Sequence, residues 1–251
     1  MTNKKTMKKT KILQNINPLL LKGIAHRGLW NEQFTENGMK AFLNAKENNV
    51  AIELDVHLTK DGQLLVCHDE NLLRTTGKEG IIEDLTLQEI KDNYRLHDGD
   101  PLPTLEEVFK AVDEVVPIVV ELKVYRKNYK ALAKRVSEEL KCIKDKKNIL
   151  LISFDPRALS PFKKSGFMRQ LLVVHDGKHE FTYMFRNFFE GVDLDQRFLK
   201  EKKYQKYAKK HFTNVWTIEN EEQLDCILPY VDTVTFQKMD FQIVRKALEN
   251  K

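Results

Sequence analysis

Between Ile24 and Asp69 the chain sets charged and imidazole side chains at the ends of short apolar runs. Ile24-Ala25 opens directly into His26-Arg27-Gly28, residues 51–56 read A-I-E-L-D-V, and Val66-Cys67 runs into His68-Asp69. A further acid, Glu121, sits in V-V-E-L-K, two residues before Lys123. In A-I-E-L-D-V the period of two puts Ile52, Leu54 and Val56 on one face of a strand and Glu53 and Asp55 on the other. Two acids on one side of an otherwise apolar strand repel each other. Burying them unpaired is costly, or it forces one of them to take up a proton. A hard divalent cation resolves that conflict, and oxygen ligands suit Mg²⁺ or Ca²⁺. An exposed strand with a wet face explains the pair taken alone, but Glu121 and the histidines weigh against it. The ordinary pKa of histidine lies close to neutrality, so His26 and His68 suit proton transfer in both directions. Lys123 shares the side of Glu121 and either faces an anionic ligand or pairs with an acid.

These residues need elements to bring them together. Lys60-Asp61-Gly62 is a tight-turn signal between strand-like runs at 51–59 and 63–67, and the hairpin returns His68 to the neighbourhood of Glu53 and Asp55. Residues 23–28 read as the first strand and 36–48 as a helix. From 117 onward, strands at 117–124, 148–154, 168–174, 191–195, 214–218 and 231–236 alternate with helices at 129–143, 156–164, 179–189, 200–211, 221–228 and 242–249. Such alternation predicts a parallel sheet, and about eight strand–helix pairs favour an α/β fold of the closed (β/α)8 TIM-barrel type. Chemistry in that barrel sits at the carboxyl ends of the strands, and His26, Glu53, Asp55, His68 and Glu121 all fall on strands or strand ends. Residues 69–103 break the rhythm with turns at 76–80 and 99–103 and a short capped helix in 85–94, which reads as a small insertion after the second strand. Residues 104–114 form a helix with Thr104 as N-cap and Glu107 three residues on. The expected organisation is a basic lead-in at 1–22 and one domain at 23–251.

Composition narrows the class. The 251 residues are 41% hydrophobic and 31% charged, with a formal charge of +5, values of a soluble globular protein on the charged side. The lysines are spread along the chain, a solvated surface in the first instance. No basic patch interleaved with aromatics marks a nucleic-acid module. Three widely spaced cysteines without a C-x-x-C, Cys67, Cys142 and Cys226, argue against a disulfide framework or a zinc site. Gln14, Asn15, Asn17 and Pro18 interrupt the run after the basic start, so no secretory core follows. No run has bilayer length, and a cytoplasmic location is expected.

The ordered set H-R-G at 26–28, E-L-D at 53–55, T-K-D-G at 59–62, H-D at 68–69 and E-L-K at 121–123 resembles the glycerophosphodiester phosphodiesterase family. The likeness is strongest over 24–76 and resumes at 117–123, 152–155 and 215–217. It implies metal-dependent hydrolysis of a small-molecule glycerophosphodiester to sn-glycerol 3-phosphate and an alcohol. A divalent ion, Mg²⁺ or Ca²⁺, would sit on Glu53, Asp55 and Glu121, and His26 and His68 would be the acid–base pair. Arg27 and Lys123 would lie around the phosphate, with Glu36, Phe154 and Trp216 lining the site. The chain departs from the family pattern at Thr35-Glu36-Asn37-Gly38, at Ile218-Glu219-Asn220 and at residues 233–240, T-V-T-F-Q-K-M-D. These departures are expected on the side of the cleft away from the metal, where they affect leaving-group preference more than chemistry. A lysophospholipase D-type reaction on lysophospholipids is the alternative within the same chemistry, with Leu29, Trp30, Phe34 and the aromatics of 181–189 as a candidate apolar groove or membrane contact. A non-catalytic barrel binding phosphodiesters or membranes is the alternative of another class.

Overall fold

The computed structural model describes residues 9–177 and 180–251. Among them, eight parallel strands close into a barrel: β1 (Ile24–Ala25), β2 (Ala51–Leu58), β4 (Ile118–Leu122), β5 (Ile149–Ser153), β6 (Met168–Val173), β7 (Gly191–Asp195), β8 (Phe212–Ile218) and β9 (Thr233–Phe236). Closure rests on β1, whose Ile24 pairs with Ala51 of β2 on one side and with Thr235 of β9 on the other. The remaining strand, β3 (Leu64–Val66), is antiparallel to β2, with Val66 opposite Val56, as the turn at residues 60–62 predicts.

Each strand divides its side chains by parity. Leu54, Val120, Leu151, Leu171, Val192, Val215 and Val234 face outward into the apolar layer under the helices. Ala51, Val119, Leu150, Ile152, Met168, Leu172 and Phe212 join a second cluster inside the barrel. The acids of β2 and β4 therefore continue the inward rows, above an apolar floor.

Residues 9–22 are more than a lead-in. Ile12, Ile16 and Leu20 are buried in the interior cluster and seal the amino-terminal end of the barrel. Asn17 caps the short 3-10 helix Pro18–Lys22 by accepting from the Leu19 amide at 2.9 Å, and Pro18 takes the first position, where its missing N–H costs nothing. Lys9 pairs with Asp232 at 2.8 Å. The basic start at 1–8 lies outside the described residues.

The segment after β3 has a small core of its own, built on Leu65, Leu72, Ile82, Ile90, Tyr94 and Leu102. Its helix Leu87–Asn93 carries a capping box from Thr86 and Glu89, and the following helix Leu105–Val112 carries one from Thr104 and Glu107. Two expected helices are shorter or tighter. Residues 200–211 divide into a 3-10 turn, Gln196–Lys200, and a helix, Lys202–Ala208. The aromatic stretch is a 3-10 helix, Glu180–Phe188. Its run of Phe, Thr, Tyr and Asn is poor in strong α-helix formers, and His179 lies outside the described residues. No helix among the described residues is long and apolar enough to cross a membrane.

Candidate active site

His26-Arg27-Gly28 turns sharply off the end of β1. Arg27 has φ 59° and Gly28 φ 84°, and a Cβ at Gly28 would lie 3.0 Å from Ala41 and Phe42, so the third residue of the motif is glycine for reasons of space and backbone. The turn aims the Arg27 amide at Glu53 Oε2, 3.0 Å away. The Arg27 guanidinium donates to Glu36 Oε1 at 2.7 Å and lies 3.6 Å from Asp55 Oδ2. Asn37 holds the second acid of β2. Its Nδ2 donates to Asp55 Oδ2 at 2.9 Å, and its Oδ1 accepts from the Asp55 amide at 3.4 Å.

Parallel register sets Asp55 beside Glu121. One oxygen each from Glu53, Asp55 and Glu121 can be chosen so that all lie within 4.8 Å of one another, and all three residues are buried. Lys123 Nζ is 3.1 Å from Glu121 Oε1 and 3.4 Å from Asp55 Oδ1. Burial, then repulsion from Asp55 and Glu121, raises Glu53 well above the usual carboxylate range. Burial also raises Glu121, to about 7, against the pull of Lys123. For Asp55 the burial penalty is outweighed by Lys123, His68 and Arg27, which hold it far below that range. Three buried acids share one amine and one guanidinium, so protons or a further cation must answer the rest of their charge, and Asp55 Oδ1, 3.4 Å from Lys123, makes no hydrogen bond among the described residues. The donor set is all oxygen and suits a hard divalent ion.

The histidines flank this cluster. His26 Nδ1 is 2.6 Å from Gln237 Oε1, and the Gln237 amide nitrogen donates to Glu219 Oε1. Burial first, then Arg27, lowers the His26 pKa to about 4. His68 Nδ1 is 2.6 Å from Asp69 Oδ1. Asp69 is bridged by Arg74, whose other nitrogen reaches Glu36 Oε1 at 2.7 Å. Burial lowers His68 too, with Asp55 and the Asp69 hydrogen bond opposing it. His57 supports the loop from beneath, its Nδ1 on Glu83 at 2.7 Å and its Nε2 on the His68 carbonyl at 3.1 Å. An ionic chain thus runs Arg27–Glu36–Arg74–Asp69–His68.

All ten expected residues converge here. His26, Arg27, Glu53, His68, Glu121, Phe154 and Trp216 line one cavity of about 140 Å³. Asp55 and Glu36 contact that set through Arg27, and Lys123 through Glu121. Phe154 and Trp216 meet edge to face, with centroids 5.8 Å apart. Trp30 is half-buried, and its indole donates to the His26 carbonyl at 3.1 Å. Cys67 is buried, and burial pushes its thiol up to about 11, so it is no nucleophile.

The expectation about the departures needs correcting. Gln237, directly after β9 in the altered stretch 233–240, and Glu219, after β8, are not remote from the chemistry, because together they hold His26 Nδ1. Asp193 was not singled out either. It is buried, lines the same cavity, and its Oδ1 has no hydrogen-bond partner among the described residues. Burial raises its pKa to about 7, with Asn214 opposing and Glu121 adding. Its signal in G-V-D-L-D is the same alternation of acids with apolar residues that marks Glu53 and Asp55.

A second, larger cleft of about 900 Å³ opens beside this cavity. It shares Glu121 and Phe154 with it and extends past Lys123 to Phe181 and Phe185.

Residues 26–230 match the model of the glycerophosphoryl diester phosphodiesterase family. The chain belongs to that family. A glycerophosphodiester phosphodiesterase of Bacillus altitudinis is 35% identical over 156 residues, 58% of this chain and 62% of the relative, so the chain matches less than two thirds of that relative's length. The human lysophospholipase D GDPD1 is 39% identical over 135 residues, 49% of this chain and 41% of the relative. The crystal structure of a Parabacteroides distasonis glycerophosphodiester phosphodiesterase superimposes with a TM-score of 0.72 at 28% identity, covering 90% of this chain and 96% of that one. The (β/α)8 barrel of this member of the family is thus shared with solved relatives.

Proposed function

We propose that the protein is a metal-dependent phosphodiesterase that hydrolyses glycerophosphodiesters to sn-glycerol 3-phosphate and an alcohol. The observation that carries the reading is the cluster of Glu53, Asp55 and Glu121, three buried acids with ligand atoms within 4.8 Å, set between two cations and two histidines. These three residues would hold the ion. When bound, a divalent cation offsets charge on the non-bridging phosphate oxygens. Mg²⁺ and Ca²⁺ both suit the oxygen set.

The protein's own groups divide the remaining work. Arg27 and Lys123 bind phosphate oxygens opposite the carboxylates. The Gln237 amide nitrogen is committed to Glu219, so its carbonyl oxygen faces His26. His26 Nδ1 must then carry the proton, and Nε2 keeps its lone pair. That tautomer makes His26 the base that takes the proton of the attacking water. His68 has the Asp69 carboxylate at Nδ1, which favours its charged form against the lowering by burial, and donates the proton to the leaving alkoxide. Glu36 and Arg74 keep Arg27 and Asp69 in place. Phe154 and Trp216 wall the cavity. Residues 23–251 act as one domain in this reading, with 69–103 as an insertion that carries His68's partners. Two exposed free thiols, Cys142 and Cys226, favour a reducing compartment such as the cytoplasm.

A second reading, lysophospholipids as substrate, is favoured by the cleft of about 900 Å³ that joins Glu121 to Phe181 and Phe185. The complete set of acids and histidines speaks against a purely binding role. The test is release of choline from glycerophosphocholine, with sn-glycerol 3-phosphate as co-product, and from lysophosphatidylcholine, with lysophosphatidic acid as co-product, in EDTA, Mg²⁺ or Ca²⁺, and with His26→Ala as the blank. Metal-dependent release from the small diester is expected. Turnover of the lysolipid alone would move the substrate to membranes. Turnover of neither would leave the binding role.

A further inference from the structure

The 3-10 helix Glu180–Phe188 follows β6 at the carboxyl end of the barrel, the end at which His26, Glu121 and Lys123 lie. Its side chains fall into two groups. Tyr183 is fixed inward: its ring meets Tyr204 at 5.0 Å and Tyr207 at 5.5 Å edge-on, and stacks near Phe198 at 6.2 Å. Arg186 covers the same ring at 4.1 Å, and Phe185 packs against the core. Phe181, Met184 and Phe188 do the opposite, at 61%, 64% and 67% exposure. These are the most exposed large apolar side chains among the described residues, and they stand on one short element. Core packing does not account for them, since the inward residues already anchor the helix. A cluster of this kind marks a surface meant to be covered.

Two observations say by what. The crest is continuous with the larger cleft, because Phe181 and Phe185 line the same space as Glu121 and Lys123. Whatever covers the crest therefore lies at the mouth of the site. Cations also flank it. Lys127, in the loop after β4, is exposed and lines the cleft with Phe181. After β7, the next strand in the barrel, come exposed Lys200, Lys202 and Lys203; Lys203 lies 4.6 Å over the Tyr204 ring that braces Tyr183 and is paired with Glu201 at 2.8 Å, which leaves Lys200 and Lys202 to add positive charge there. The acids of this region are paired, Glu180 with His175 and Glu201 with Lys203, and exposed apolar side chains with basic ones beside them are the two signals that together hold a protein on an anionic lipid surface, where either alone is weak.

We propose that this crest is a membrane-docking surface for an anionic phospholipid bilayer. Phe181, Met184 and Phe188 enter the interfacial layer, the lysines meet the headgroups, and the cleft opens at the lipid surface. Docking stands independently of the proposed reaction; only its effect on turnover rests on that reading.

The test is flotation of the whole chain with vesicles of pure phosphatidylcholine and of phosphatidylcholine mixed equally with phosphatidylglycerol, using the wild type and the double variant Met184→Ser/Phe188→Ser. Neither substituted residue lines the cleft. The wild type is expected to float with the anionic vesicles, less with the neutral ones, and less in high salt. The variant should bind the anionic vesicles about tenfold more weakly, since two large side chains no longer leave water. It should keep its rate on soluble glycerophosphocholine and lose rate on lysophosphatidylcholine presented in vesicles. Loss of vesicle binding in the variant supports docking even if neither form hydrolyses any diester, an outcome that would sink the reaction and not the surface. Equal binding of both forms, or no binding by the wild type, overturns the proposal. So does a wild-type dimer that the variant converts to monomer without vesicle binding, which would give the crest to a second copy of the chain.

Discussion

Gln237 sits where a substitution can be read directly. Its carbonyl oxygen is neutral, 2.6 Å from His26 Nδ1, and burial and Arg27 already hold the His26 pKa at about 4. Gln237→Glu would put a carboxylate at that position. An adjacent negative charge favours the imidazolium and raises the pKa of the histidine by roughly 1–3 units. A base with a raised pKa becomes active only at higher pH, so the acid limb of kcat/KM should move upward by that amount. The companion Gln237→Glu/Glu219→Gln removes repulsion between the two acids and should show the shift more cleanly. An unmoved limb would mean that His26 is not the base being titrated. Asp193 offers a second handle. Its folded pKa is raised to about 7, chiefly by burial. The folded chain therefore holds a proton that the unfolded chain releases from its ordinary acid range upward, and stability at this site is lost as pH rises through that window. Asp193→Asn should leave stability in EDTA little changed near pH 4 and increase it by roughly 2–4 kcal/mol near pH 8, as read from urea unfolding. An equal effect at both pH values would show that Asp193 is ionised throughout.

At the scale of elements, the sequence was legible wherever a local rule decides the outcome. The turn at Lys60-Asp61-Gly62 gives the β2–β3 hairpin, and the Thr104–Glu107 spacing gives a capping box at the expected helix start. The E-x-D alternation places Glu53 and Asp55 inside the barrel because Ile52 and Leu54 belong to the outer layer. What escaped depends on contacts far apart in sequence. The His26–Gln237 pair spans 211 positions, and no periodicity encodes it. The packing of Ile12, Ile16 and Leu20 into the barrel floor was hidden for the same reason, since the stretch is too polar and too short to read as a core element. Leu20 carries a testable load. It is fully buried against the interior cluster, so Leu20→Ala should cost about 2–5 kcal/mol, the usual range for a leucine cavity. A lead-in that merely lay on the surface would give less than about 0.5 kcal/mol in the same urea titration.

The whole molecule carries a net positive charge of +5, yet its barrel concentrates negative charge at one point. Glu53, Asp55 and Glu121 are buried together, and only Lys123 and Arg27 answer them at close range. Without a divalent ion, desolvation and repulsion in this cluster work against the fold, the cost expected of a site built to hold a cation. Glu121→Gln tests this. Removing one charge relieves the repulsion at nearly constant volume, so the variant should be more stable than the wild type in EDTA, by about 1–3 kcal/mol. The wild type should gain stability when Mg²⁺ or Ca²⁺ is added, because an ion that binds only the folded state shifts unfolding by RT ln(1 + [ion]/Kd), about 2.7 kcal/mol at a hundredfold excess over Kd. The variant should lose most of that gain, since it keeps two of three charged ligands. The two melting curves should therefore cross: the variant is higher in chelator and the wild type is higher in metal. Lys123 supplies the control. Lys123→Met leaves the acids without their nearest amine, so it should lower stability in EDTA while sparing the response to metal. If Glu121→Gln melted below the wild type in EDTA, Glu121 would be held as a favourable partner of Lys123, and the cluster would be an ion-pair network instead of a site built for a cation.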